Sequence, residues 1–270
     1  MSACKVEVKD YICTVTIDRP PANATSKETY DEIRDTFYAL DRREDIKVVI
    51  LTGAGKIFMA GNELSEFGEF MEPSKCTVHY DRIRNAYLAF KNCRYPVIGA
   101  INGSAAGAGC AFAGCCDVLI AAQGAKFALS EIKVGIIGAD GYASLMVPEK
   151  VLRYMAFSGN PLLAEQIAQW GGIWKVVPRE QVLEEAQKLC EQVESWRSFL
   201  LGFLPVYAGV LTMGGEGAAG SAASGALLTA LCFLAQLAAT FVQPLLHCYL
   251  MLSMACCVSS EPALGVFCKG

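Results

Sequence analysis

Charge all but disappears from this chain after Arg197: residues 198–270 carry only Glu216, Glu261 and Lys269. That stretch holds a Gly-Ala-Ser run at 214–226 and then an almost wholly apolar run to 258, broken by Gln236, Gln243, Pro244 and His247. Histidine is scarce, with two residues in 270, and His79 has no Ser, Cys or Asp at the spacing of a nucleophile motif. It is expected on a solvated helix face. Cysteine is abundant at thirteen, yet no CxxC pair and no histidine at zinc spacing occur, so a zinc module is not expected and the thiols read as reduced and buried. No strong basic patch exists and the formal net charge is −4, which gives nucleic acid nothing to bind. The opening MSACKVEVKD has neither an apolar signal core nor an Arg-rich, acid-poor presequence, and the C-terminus shows no peroxisomal signal. Cytoplasm is the default expectation.

What is present suits an α/β fold. Residues 5–17 alternate apolar and polar around Asp10-Tyr11 and predict a hairpin or two short strands. Prolines bar a helix before Ser26, which can cap a helix over 27–42 whose stripe Tyr30, Ile33, Phe37, Leu40 faces a core. Buried strands are expected at Val48–Leu51, Val97–Ile101 and Asp117–Ala122, with a short one at Lys126–Leu129. Two of these lead through a glycine turn into a second short segment, a strand-turn repeat. Helices are expected over 78–92, with Val78, Ile83, Tyr87, Leu88 and Phe90 as its apolar set, and over 149–158, 162–169 and 179–194, with a strand at Ile173–Val177. The acidic ELSEFGEFMEPSK, 63–75, reads as a surface loop or a lid.

The chemistry concentrates at 96–131. SAAGAGCAFAGCC has no side chain larger than cysteine except Phe112, so only its main chain can act on a ligand. Free N–H groups at a helix start attract an anion, or a carbonyl oxygen becoming one; close helix-to-strand packing is the alternative. Gly107 and Gly109 lack the third glycine and the acidic residue of a dinucleotide site. Glu131 stands among Phe127, Leu129, Ile132 and Val134, an environment that would raise its pKa, although a surface turn is an equal reading. Asp140 is either a helix N-cap or a second carboxylate.

Four phrases in order, IKVVILTGAGKIFMAGNEL, PVIGAINGSAAGAGCAFAGCCDVLIA, AKFALSEIKVGIIGADG and FSGNPLLAEQIAQWGGIWKVVP, resemble the crotonase (enoyl-CoA hydratase/isomerase) superfamily over residues 5–195. The resemblance implies a crotonase-like spiral of repeated ββα units, a catalytic core at 1–197 and an acyl-CoA thioester as substrate. It implies no other cofactor and no metal, coenzyme A being part of the substrate. It further implies that the main-chain N–H groups of Asn62 and Ala108 hold the thioester oxygen, so that the Asn62 side chain is dispensable. Glu131 falls where the family has one catalytic glutamate, with Asp140 as a further candidate. Lys56, Ala60, Gly61 and Gly107 fall in the substrate-binding phrases, Lys56 either as a phosphate contact or as an exposed lysine with no specific role.

One departure matters. Hydratases of the family place a second glutamate after the cysteine of the GxGC turn, and this chain has Ala111 there. Hydration needs two acid/base groups, whereas moving a double bond from the 3,4 to the 2,3 position needs one. An enoyl-CoA isomerase is therefore expected. The alternatives are a hydratase, a thioester hydrolase or lyase using Asp140, and an inactive acyl-CoA-binding pseudoenzyme. The family's homotrimer is implied, but its charge-bearing closing helices find no match in 198–270. Three readings of that tail stand open: a membrane segment, an altered reading frame, and a divergent oligomerisation region.

Overall fold

The computed structural model describes residues 2–193 apart from 67, 69–72 and 137, all within one compact unit, Met1–Leu201. The boundary at 197/198, the tail readings and five residues of the expected lid lie outside the described residues. β1 (Cys4–Lys9) and β2 (Ile12–Ile17) form the expected antiparallel hairpin. α1 (Lys27–Leu40) starts where Ser26 predicts, the Ser26 hydroxyl accepting the Thr29 N–H at 3.3 Å, and buries Tyr30, Ile33, Phe37 and Leu40.

The rest of the chain is a repeat of one step. β3 (Val48–Gly53), buried throughout, turns into β4 (Ile57–Met59), and α2 (Pro73–Lys91) follows. β5 (Val97–Ile101), also buried throughout, turns into β6 (Ser104–Ala106), and α3 (Ala108–Cys115) follows. β7 (Val118–Ala122) turns into β8 (Lys126–Ala128), then a 3₁₀ turn (Glu131–Val134), α4 (Asp140–Ala143) and α5 (Glu149–Ser158). β9 (Leu162–Leu163), α6 (Ala164–Gln169), β10 (Lys175–Val177) and α7 (182–193) close it.

Each step takes the chain from a large sheet to a small one. The large sheet runs β1-β2-β3-β5-β7-β10, parallel from β2 onward. The small sheet runs β4-β6-β8-β9, its first three strands parallel. Helices cover the buried strands, which is why these read as continuous apolar runs without alternation. Asn102, in the β5–β6 turn, ties successive steps together by donating from Nδ2 to the Gly53 and Gly55 carbonyls at 2.7 and 3.1 Å. Small residues let α3 settle on β4: a β-carbon on Gly109 would lie 2.3 Å from the Met59 carbonyl oxygen.

Several expectations are corrected. His79 is buried, whereas Val78, Tyr80 and Leu88 are exposed. The face of α2 turned to the core runs through His79, Ala86, Tyr87 and Phe90, because α1 packs against it there. Helix 162–169 begins at Ala164, helix 179–194 opens with a 3₁₀ turn, Arg179–Gln181, and the strand expected from Ile173 begins at Lys175. Asp117 stays outside β7 because its carboxylate accepts the Val97 N–H at 2.7 Å. Of the eight cysteines among the described residues, all free thiols, four are buried and four half-buried. Among the described residues no helix is long and apolar enough to cross a membrane.

Candidate active site

The carboxyl ends of β4, β6 and β8 lie side by side in the small sheet, where parallel sheets place their ligands. Asn62 follows β4, Ala108 follows β6 and Glu131 follows β8. Ala108 is thus in the middle, with Asn62 on one flank and Glu131 on the other.

Two close approaches fix that order. Gly61, with φ +97°, presents its Cα to the next turn: a β-carbon there would be 2.9 Å from the Ala106 carbonyl oxygen and 3.7 Å from the Ala108 nitrogen. Gly107, with φ +49°, caps α3 and faces the carboxylate: a β-carbon there would be 3.1 Å from Glu131 Oε1. Both backbones adopt the region that glycine tolerates best.

The two N–H groups are left over by the local hydrogen bonding. Asn62 lies opposite Thr25 in a one-residue parallel bridge, in which Thr25 N–H donates to Gly61 C=O at 2.7 Å and Glu63 N–H to Thr25 C=O at 2.9 Å. Alternation along an extended chain then turns the Asn62 N–H away from Thr25, toward β6. The Ala108 N–H opens a helix, where the first donors have no intrahelical partner. Among the described residues neither N–H has a hydrogen-bond acceptor.

Glu131 is half-buried, and its Oε2 is enclosed without a hydrogen-bond partner among the described residues. Burial raises its pKa from 4.5 to about 7; an N–H from its own backbone opposes the rise, and the charge of Asp140 adds to it. Only part of this environment follows from sequence neighbours, since Phe127 and Leu129 are buried but Ile132 and Val134 are exposed. Asp140 is exposed and is the first residue of α4, not its N-cap; Ala139 takes the cap position, and the helix ends at Ala143 instead of near 147. Ala111 is fully buried one turn into α3, its N–H donating to the Gly107 carbonyl at 3.1 Å.

The remaining candidates are spread further. Ala60 is exposed, and its N–H is taken by the Ala22 carbonyl at 3.1 Å. Lys56 is exposed in the β3–β4 turn, at the opposite end of β4 from Asn62, so the fold does not bring it to the Glu131 cluster. Two glutamates of the acidic stretch are anchored: Glu63 pairs with Arg19 at 2.8 Å, and Glu66 accepts the Lys27 N–H at the start of α1 at 3.1 Å. Among the described residues no three His, Cys, Asp or Glu side chains gather as a metal site would need.

Sequence reasoning passed over two tyrosines. The Tyr30 hydroxyl donates to Asn62 Oδ1 at 2.5 Å, and the Tyr87 hydroxyl donates to the Ala108 carbonyl at 3.3 Å. The Asn62 side chain, expected to be dispensable, therefore has a buried partner. The signal was the residue type: a tyrosine in a buried stripe needs an acceptor that phenylalanine would not. His79 lies against Tyr30, ring centroids 6.5 Å apart, and desolvation lowers its pKa to about 4, so it is neutral at pH 7.

Comparison with known proteins places the chain in a family. Residues 7–201 match the family model described as enoyl-CoA hydratase/isomerase. A (7aS)-7a-methyl-1,5-dioxo-2,3,5,6,7,7a-hexahydro-1H-indene-carboxyl-CoA hydrolase of Rhodococcus jostii is 30% identical over 68% of this chain and 71% of its own. The 1,2-epoxyphenylacetyl-CoA isomerase of Escherichia coli is 32% identical over 73% and 78%. Among solved structures, the enoyl-CoA hydratase of Bacillus anthracis superposes with a TM-score of 0.67 at 28% identity, over 72% of this chain and 77% of that one.

Proposed function

The chain belongs to the enoyl-CoA hydratase/isomerase family, and from that premise we propose that it is an enoyl-CoA isomerase, converting a 3-enoyl thioester to its 2-enoyl isomer. The observation that carries this reading is one half-buried carboxylate, Glu131, set against the turn before Ala108, while Ala111 leaves the second position without an acid. In the proposed reaction the Glu131 carboxylate takes the proton from C2 of the substrate. The C–H electron pair moves into the thioester, whose oxygen gains charge and is held by the N–H groups of Asn62 and Ala108. The protonated Glu131 then gives the proton to C4, and the double bond is left between C2 and C3. One group serves as base and then as acid, and a pKa of about 7 suits both roles. Gly61, Gly107 and Ala60 form the rim against which the thioester lies, and Lys56 contacts a phosphate of the coenzyme.

The enoyl-thioester absorbance distinguishes the reactions, rising on isomerisation and falling on hydration. Wild-type protein should isomerise a 3-enoyl-CoA far faster than it hydrates a 2-enoyl-CoA, and Glu131→Gln should lower isomerisation by ~10²-fold or more. Ala111→Glu should raise the ratio of hydration to isomerisation. Efficient hydration by the wild type, lost in Asp140→Asn, would transfer the second-acid role to Asp140 and end the isomerase reading. The second reading is a thioester hydrolase or lyase using Asp140, in keeping with the similarity to the Rhodococcus jostii CoA hydrolase. Release of free CoA thiol from the 3-enoyl-CoA would identify the hydrolase, and a cleaved acyl group still joined to CoA the lyase.

A further inference from the structure

Behind the two N–H groups, α1 and α2 each contribute one buried tyrosine, and each hydroxyl ends on a different turn of the site. Tyr30 and Tyr87 are 1% and 4% exposed, and their hydroxyls lie within hydrogen-bonding reach of each other as well as of the site. Their ring centroids are 6.3 Å apart at 65°, and Phe112 of α3 packs against both, at 6.2 and 4.4 Å. Three elements therefore hold the rings, and the hydroxyls project from a fixed base. Tyr30 reaches the side chain of Asn62, and Tyr87 reaches the main-chain carbonyl of Ala108.

We propose that Tyr30 and Tyr87 are positioning residues whose hydroxyls hold the Asn62 and Ala108 turns at the separation where both N–H groups reach one thioester oxygen. The proposal rests on the oxyanion reading given above. Packing alone would be served by phenylalanine, and each added hydroxyl must find a hydrogen bond to offset its desolvation. Both find it on the residues that carry the free N–H groups. The Asn62 turn is already pinned on its other side by the Thr25 bridge, so fixing its side chain leaves its N–H little freedom to swing. The Tyr87 bond does the same for the first turn of α3. Donors held this way cost no reorganisation as charge develops on the substrate. A displacement of about 1 Å in such a site can cost ~10²-fold in rate.

The test uses hexanoyl-CoA labelled with carbon-13 at the thioester carbonyl, a saturated probe with no double bond to move. In wild-type protein its carbonyl stretch should fall in frequency on binding, because two N–H donors polarise it. Tyr30→Phe and Tyr87→Phe should bind the probe within a few-fold of wild type and melt cooperatively. Their carbonyl band should return toward that of free hexanoyl-CoA, and kcat on a 3-enoyl-CoA should fall ~10-fold or more with KM little changed. Asn62→Ala removes the acceptor and leaves Tyr30 in place, so it carries the same test if a tyrosine variant fails to fold. Combined with Tyr30→Phe it should lose no more than either change alone, since both break one linkage. Variants that keep the wild-type band and kcat, and lose only Tm, would overturn the tyrosine role and leave the oxyanion reading standing. A wild-type chain that binds the probe with no band shift would overturn that reading and this proposal together.

Discussion

Glu131 rests on the bare Cα of Gly107: a β-carbon at that position would sit 3.1 Å from Oε1 and 3.4 Å from the carboxyl carbon. The residue that caps α3 is thus also the floor under the candidate base. Its main-chain conformation, φ +49° and ψ −117°, is one that other residues avoid.

Gly107→Ala should therefore disturb the fold and the chemistry together. The strained backbone costs about 1–3 kcal/mol, visible as a lower Tm, and the new methyl group displaces the carboxylate. Measured well below that Tm, kcat should still fall ~10-fold or more. Unchanged kcat in the folded variant would mean that Glu131 does not act from this position.

The raised pKa of Glu131 sets opposite pH trends for activity and stability. As a base it acts ionised, so kcat/KM should rise with pH and level off above about 7. Between 4.5 and about 7 the folded chain retains a proton that the unfolded chain has released, so this group's contribution to stability falls as pH rises through that window and is level above it. Glu131→Gln should lack that fall and be more stable than wild type at pH 8 while losing activity. Denaturant unfolding of both proteins at pH 5 and pH 8 checks the sign.

Ala108→Pro removes one N–H where a helix tolerates proline best, at its first residue. Circular dichroism should be unchanged, and turnover should fall ~10²–10³-fold, the usual worth of one oxyanion donor. Retained turnover would show that the Ala108 N–H does not hold the substrate oxygen.

The local rules were legible in the chain. Apolar runs without alternation marked the strands buried on both faces, Ser26 marked the start of α1, and the small-residue run after Asn102 marked where a helix would lie on another backbone. The four phrases that resemble the family marked Asn62, Ala108 and Glu131 as one group. Each of these signals sits within a window of a few residues, where spacing and side-chain size already decide the conformation.

Tertiary structure decided what depends on residues far apart in sequence. Which face of α2 turns inward depended on α1 packing against it, and that choice buried His79 and exposed Val78. The environment of Glu131 came from Gly107, twenty-four positions earlier, more than from Ile132 and Val134 beside it. Tyr30 finds Asn62 across 32 positions and Tyr87 finds Ala108 across 21, so no local pattern could separate these hydroxyls from ordinary core rings. Composition and periodicity state that a buried polar group needs a partner; only the folded chain, with its strand ends brought side by side, selects which one.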